Sequence, residues 1–233
     1  MRRVLITVVA CFCLFVVGLG FSGSGFSSLS PVFSGSWTSG EEAVVDAAVS
    51  EWTSLLTIPQ TLSVTFSLSD LGGSTLAETG ITSASSGLPL AASTTVTDDA
   101  SLPLSWNLTN PVSGEYDALS IVEHELGHAL GIAYQRNLLY YNDVSIVSGK
   151  AYIWGYQLYG STNAGDLSHL ADPNDLMYPY ISTGVRTVPS YADLTILSKT
   201  YKYTINAVPL PPAALLFASG LAGVAAFRSK FKV

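Results

Sequence analysis

The chain has 233 residues, 48% of them apolar and 12% charged, with ten basic against 17 acidic side chains. That length holds one domain of ordinary size plus terminal segments. The net charge of −7 repels phosphate backbones and argues against a nucleic-acid partner.

The start, MRRVLITVVACFCLFVVGLG, puts two arginines before an apolar run and small residues after it. This is the pattern of a secretory signal peptide, taken as residues 1–24, with an uncleaved anchor as the other reading. Both cysteines, Cys11 and Cys13, lie inside it. The rest of the chain therefore has no disulfide, and any staple must be the core or a metal. Residues 25–40 are rich in Gly and Ser and are expected to be a flexible lead-in, with a first strand near Phe33.

The domain is expected over residues 41–206. Ser39 and Glu42 fit a capping box, and Val44, Ala47, Ala48, Trp52 and Leu55 recur at helical spacing, so a helix is predicted over 41–56. Leu62, Val64, Phe66 and Leu68 alternate with Ser and Thr, the pattern of a half-buried strand. Gly72-Gly73 predicts a turn. Further strands are expected near STTVT and near LPLSWNL within 81–107. A second helix is predicted over 116–131 and a last one over 191–203, the latter capped by Ser190 with Asp193.

The end carries Val208-Pro209-Leu210-Pro211, an apolar run from Ala213 to Phe227, then Arg228, Lys230 and Lys232. The run is short for a membrane span, and the basic residues after it favour a cytoplasmic end. Residues 207–233 resemble the PEP-CTERM sorting tail of exported bacterial proteins, with leucine where Val-Pro-Glu-Pro has glutamate. That resemblance implies a sorting enzyme of the exosortase type as partner, transient membrane attachment and a cell-surface or extracellular location. An ordinary membrane anchor is the alternative. With both ends set aside, five basic residues (Arg136, Lys150, Arg186, Lys199, Lys202) face all 17 acids, a net charge near −12.

The chemistry sits in the second helix, in HELGHALGI. His124 and His128 are four residues apart, which on a helix stacks both rings on one face, one turn apart, able to grip one metal ion. Glu125 is beside the first of them, where it can take a proton from a water without being a ligand. Catalytic zinc needs three protein ligands and one open position. The chain has three histidines, and the third is His169. Tyr134, Asp172 and Asp175 are the rival third ligands.

HELGHALGI resembles the zinc helix of the metzincin metalloproteases, nearest the matrixin type. There a third histidine stands three positions after the glycine equivalent to Gly131, where this chain has Tyr134. The stretch from His169 to Pro179 resembles a matrixin tail: a histidine, then eight residues on Met177, the methionine of a Met-turn. An insertion over 132–168 separates the two halves, as in leishmanolysin-like metzincins. The resemblance implies zinc held by His124, His128 and His169, Glu125 as general base and Met177 as a structural floor. It also implies that Tyr178 and Pro179 border the substrate; Tyr178 or Tyr134 are candidate oxyanion donors, or packing. The zincins that take a ligand glutamate from a later helix are excluded, because no glutamate follows Glu125.

The fold so implied is α+β: a twisted, mostly parallel sheet, two long helices with the zinc helix in the cleft, and a small C-terminal subdomain ending in a helix. Residues 91–107 are the candidate edge strand for pairing with an extended peptide. The tyrosines and Trp154 of the insertion form either a cleft wall and lid or an aromatic mini-core. Asp98, Asp99, Asp143 and Asp166 are either calcium ligands or solvated carboxylates. The function expected is an exported zinc-dependent endopeptidase, in which zinc activates a water and Glu125 is the general base, with a peptide or protein substrate. The alternative is a catalytically silent, zinc-containing surface or biofilm-matrix protein; a zinc hydrolase of non-peptide amides is a third.

Overall fold

The computed structural model describes residues 28–160 and 166–206. The leader 1–24 and the tail 207–233 lie outside the described residues. Among those described, no helix is long and apolar enough to cross a membrane.

The chain begins with β1 (Leu29–Ser34), the strand expected near Phe33, and passes into α1 (Ser39–Leu55). The cap of α1 is Thr38, one residue before the expected Ser39: Glu41 N donates to Thr38 Oγ1, and Thr38 N donates to Glu41 Oε2 at 2.7 Å. Thr38-Glu41 and Ser39-Glu42 both satisfy the spacing, and the earlier pair is the one whose backbone is extended at the cap. Val44, Val45, Ala48 and Trp52 are the buried side of α1.

Then follow β2 (Leu56–Thr57), β3 (Leu62–Leu68), β4 (Ala77–Ser85) and β5 (Leu88–Val96). Leu62, Val64 and Phe66 are fully buried, as the alternation predicted. Gly72 and Gly73 both take positive φ in the turn between β3 and β4. The expected strand near STTVT is β5. The one expected near LPLSWNL reduces to β6 (Leu104–Ser105), paired with β7 (Tyr116–Asp117).

The main sheet has the order β1-β3-β5-β4. β1–β3 and β3–β5 are parallel; β4 closes the edge antiparallel to β5, with a bulge between Ile81 and Ala84. The candidate edge strand over 91–107 is therefore corrected: β5 is internal, and β4 is the edge. β4 escaped the sequence reading because nothing on its inward face is large except Ile81, and its partly buried positions include Ala77, Thr79 and Ala84.

α2 (Ala118–Leu130) packs on the sheet beside α1, and Trp52 Nε1 donates to the Glu123 carbonyl at 2.9 Å across the two helices. Beyond it come α3 (Leu139–Asp143), the antiparallel hairpin β8 (Val144–Val147) and β9 (Lys150–Ile153), then β10 (Tyr156–Gln157). The chain ends in α4 (Tyr191–Tyr201) and β11 (Thr204–Ile205), which pairs back with β2. The molecule is thus α+β, with a mostly parallel main sheet and four helices among the described residues.

Of the insertion's tyrosines and Trp154, Tyr140 alone is fully buried, so neither the aromatic mini-core nor the cleft wall describes the whole segment. Tyr134 stacks on Tyr141 at 4.7 Å, and Trp154 donates to Thr200 of α4 with Lys199 over its ring. Tyr159 turns the other way, toward Tyr178 and Tyr180.

A three-histidine candidate metal centre

α2 is built to present one face. Asp117 caps its start, its Oδ2 accepting from Ser120 N and from Ser120 Oγ at 2.6 Å. Arg186 grips the same carboxylate with Nε and Nη2 at 2.9 and 2.8 Å, and also donates from Nη2 to the carbonyl of Asn107 and from Nη1 to that of Leu108. At the other end, Gly131 leaves the helix at φ +121°, and its own carbonyl accepts from Tyr201 Oη at 2.8 Å. Tyr203 Oη donates to the carbonyl of Leu130. Two tyrosines thus bond carbonyls at the helix end, that of Gly131 also accepting from Ala133 N.

The turn at Gly131 brings the carbonyl of Ile132 back under His128, whose Nδ1 lies 2.7 Å from it. The Nδ1 of His124 lies 2.7 Å from the carbonyl of Leu176, in the loop that precedes Met177. His169 comes from a ribbon running beside β10, with its Nδ1 2.6 Å from Asp166 Oδ1. All three Nδ1 atoms face acceptors only, so all three carry the ring proton. That leaves three bare Nε2 lone pairs, and these converge: every Nε2–Nε2 distance among His124, His128 and His169 is 3.1 Å.

Three acceptors facing one another have no proton to share, and the arrangement is repulsive unless a cation sits among them. The corners of such a triangle lie about 1.8 Å from its centre, so an ion at the usual zinc–imidazole distance of about 2.0–2.1 Å fits just above its plane. Burial, then the neighbouring His169, hold His124 down to about 4, and burial with His124 and His169 beside it holds His128 well below the ordinary imidazole range. Both rings are therefore neutral at pH 7, the state a metal requires. Among the described residues this is the one group of three or more His, Cys, Asp or Glu side chains able to hold an ion.

The rivals for third ligand go elsewhere. Tyr134 stacks on Tyr141, Asp172 accepts from Asn174 in a tight turn, and Asp175 accepts from Met177 N and Ser190 Oγ. Of the suggested calcium ligands, Asp166 pairs with His169, Asp99 accepts from Ser101, and Asp143 accepts from Thr200.

The histidines lie in a cleft of about 760 Å³ between the start of β4 and the loop after Met177. Glu125 lines it, and its Oε2 is buried with no hydrogen-bond partner among the described residues. Burial pushes the Glu125 carboxyl up to about 7, Glu78 adds to that, and a hydrogen bond with Thr79 of β4 opposes it. A cation in the histidine triangle would favour the charged form. Met177 is fully buried against Gly127, so close that a Cβ there would overlap its Sδ. Tyr178 and Pro179 line the cleft as well. Tyr178 forms an edge-on aromatic triangle with Tyr159 and Tyr180, centroids 5.5–5.8 Å apart.

Sequence reasoning missed Asp166 as the partner of His169, Thr79 beside Glu125, and the Asp117–Arg186 clamp. An aspartate three residues before a suspected ligand was the available signal for the first; the other two depend on contacts between distant segments. No protein-family model matches the chain, and no curated protein sequence matches it.

Proposed function

We propose that the protein is an exported zinc-dependent endopeptidase of metzincin type. The observation that carries this is the triangle of three Nε2 atoms, 3.1 Å apart, beside an unpartnered carboxylate oxygen. A bound zinc ion would supply the Lewis acidity that makes water nucleophilic at neutral pH and polarises a carbonyl.

The chain's own residues do the rest. Glu125, whose buried Oε2 has no hydrogen-bond partner among the described residues, would take the proton of the attacking water and hand it to the leaving amine. β4 offers its outer edge to an extended peptide, which would run along the cleft as one more strand. Tyr178 and Pro179 would flank the residue after the scissile bond. The metzincin assignment is supported by the antiparallel edge strand on a parallel sheet, the turn at Gly131 and the methionine packed beneath α2. Export through the leader and processing of the 207–233 tail by an exosortase-type enzyme belong to the same proposal. The intact mass of protein recovered at the cell surface or from the medium tests them.

The decisive comparison is wild type against Glu125→Ala, measuring zinc content and cleavage of an unfolded protein substrate. Equal zinc with cleavage slowed about 10²–10⁴-fold is expected. Zinc in both with cleavage in neither would instead identify a silent surface or matrix protein. Cleavage of small amides but not of peptides would indicate the third class.

A further inference from the structure

We infer that Asp166 is a positioning residue for the third ligand, and that the 132–168 insertion is the scaffold that delivers it. This rests on the zinc reading of the site. His124 and His128 give their Nδ1 protons to main-chain carbonyls, and both are fixed by their own helix. His169 has no helix to fix it, and it alone faces a carboxylate, at 2.6 Å.

The backbone that carries that carboxylate is held from several sides. Gly160 N donates to the Asp166 carbonyl at 2.7 Å, and Gly160 approaches so closely that an added Cβ would meet the Asp166 carbonyl carbon at 2.6 Å. Tyr159 N donates to the His169 carbonyl, and Ala171 N to that of Gln157, so the ligand ribbon is strung along β10. Tyr140 Oη anchors the Leu167 carbonyl, and Ser168 Oγ accepts from Tyr134 N. Every one of these partners of the 166–171 ribbon belongs to the insertion.

The chemistry follows from the charge. An acceptor at Nδ1 fixes the tautomer that leaves Nε2 bare, and a carboxylate also raises the donor strength of the ring. It adds one negative charge to a ligand set that is otherwise neutral. The ligand with the least local support thus receives the strongest orienting bond.

The test uses the full chain as wild type, Asp166→Ala and Asp166→Asn. Zinc affinity is measured by competition with a chromophoric chelator, the visible spectrum of the cobalt-substituted protein is recorded, and thermal unfolding is followed without metal. Asp166→Ala should bind zinc about 10- to 100-fold more weakly, with metal-free unfolding unchanged. Asp166→Asn keeps an acceptor but loses the charge, so it should fall between the two and retain a cobalt spectrum near that of wild type. Wild-type affinity in both variants would overturn the inference and leave the zinc site standing. A loss in Asp166→Ala matched by lower metal-free stability, with no recovery in Asp166→Asn, would also overturn it, in favour of a purely structural role. A wild type that binds no zinc would overturn both this inference and the zinc reading beneath it.

Discussion

Gly131 makes one residue answer three demands. Its φ of +121° is reached by L side chains only with strain, it ends α2, and its position lets the Ile132 carbonyl reach His128. A Cβ there would lie 2.5 Å from the ring of Tyr201, a rigid group that is 2% exposed and cannot retreat. Gly131→Ala is therefore expected to destabilise the protein by about 3 kcal/mol or more, from overpacking combined with backbone strain. Urea unfolding measures it; a loss below about 1 kcal/mol would mean that Tyr201 yields. The sequence made Gly131 visible as a helix stop inside a motif. The tyrosine that forbids a side chain there is 70 residues away and was not visible.

At the level of elements, the loop carrying Met177 and the start of α4 are joined through Ser190. Its hydroxyl donates to Asp175 Oδ2 at 2.7 Å and its N–H to Asp193 Oδ2 at 2.8 Å. Burial, and then Asp175 nearby, push Asp193 well above the usual carboxylate range, so the folded protein keeps a proton there. In the unfolded chain this group ionises near pH 4. A carboxyl with a raised folded pKa is no burden below that value and becomes one as pH rises through the interval up to its folded pKa. Asp193→Asn has no proton to lose, and its amide can both accept from Ser190 N and donate to Asp175. The variant should gain on wild type as pH climbs above about 4 and lose its advantage near pH 4. Denaturant midpoints at three pH values check this; a difference independent of pH would refute it. The capping box Ser190–Asp193 was legible in advance because caps are local. The edge strand β4 was not, because an edge lying against a helix needs small residues and so carries little apolar signal.

For the whole molecule, zinc should stabilise the folded chain by mass action, since the three imidazoles converge only in the native state. At a free zinc concentration 100 times Kd the gain is about 2.7 kcal/mol. The melting temperature should therefore fall on adding a chelator and recover with zinc, while His169→Ala should show little response to either. An equal response in that variant would remove His169 from the ligand set. Helices α1, α2 and α4, strands β1, β3 and β5, and the three histidines were readable because hydrophobic period and motif spacing are short-range properties. Strand order in the sheet, the support of His169 by β10 and the role of Arg186 arise from segments far apart in the chain and left no local trace.

His128 and His169 are separated by 41 positions, and the described residues between them include a short helix and an antiparallel hairpin. On the zinc reading, a newly made polypeptide carries two imidazoles one turn apart and a third that arrives only after the hairpin has formed. Such a chain would hold metal weakly until the hairpin is in place. On the proposed function, the order of folding would then decide when hydrolysis can begin.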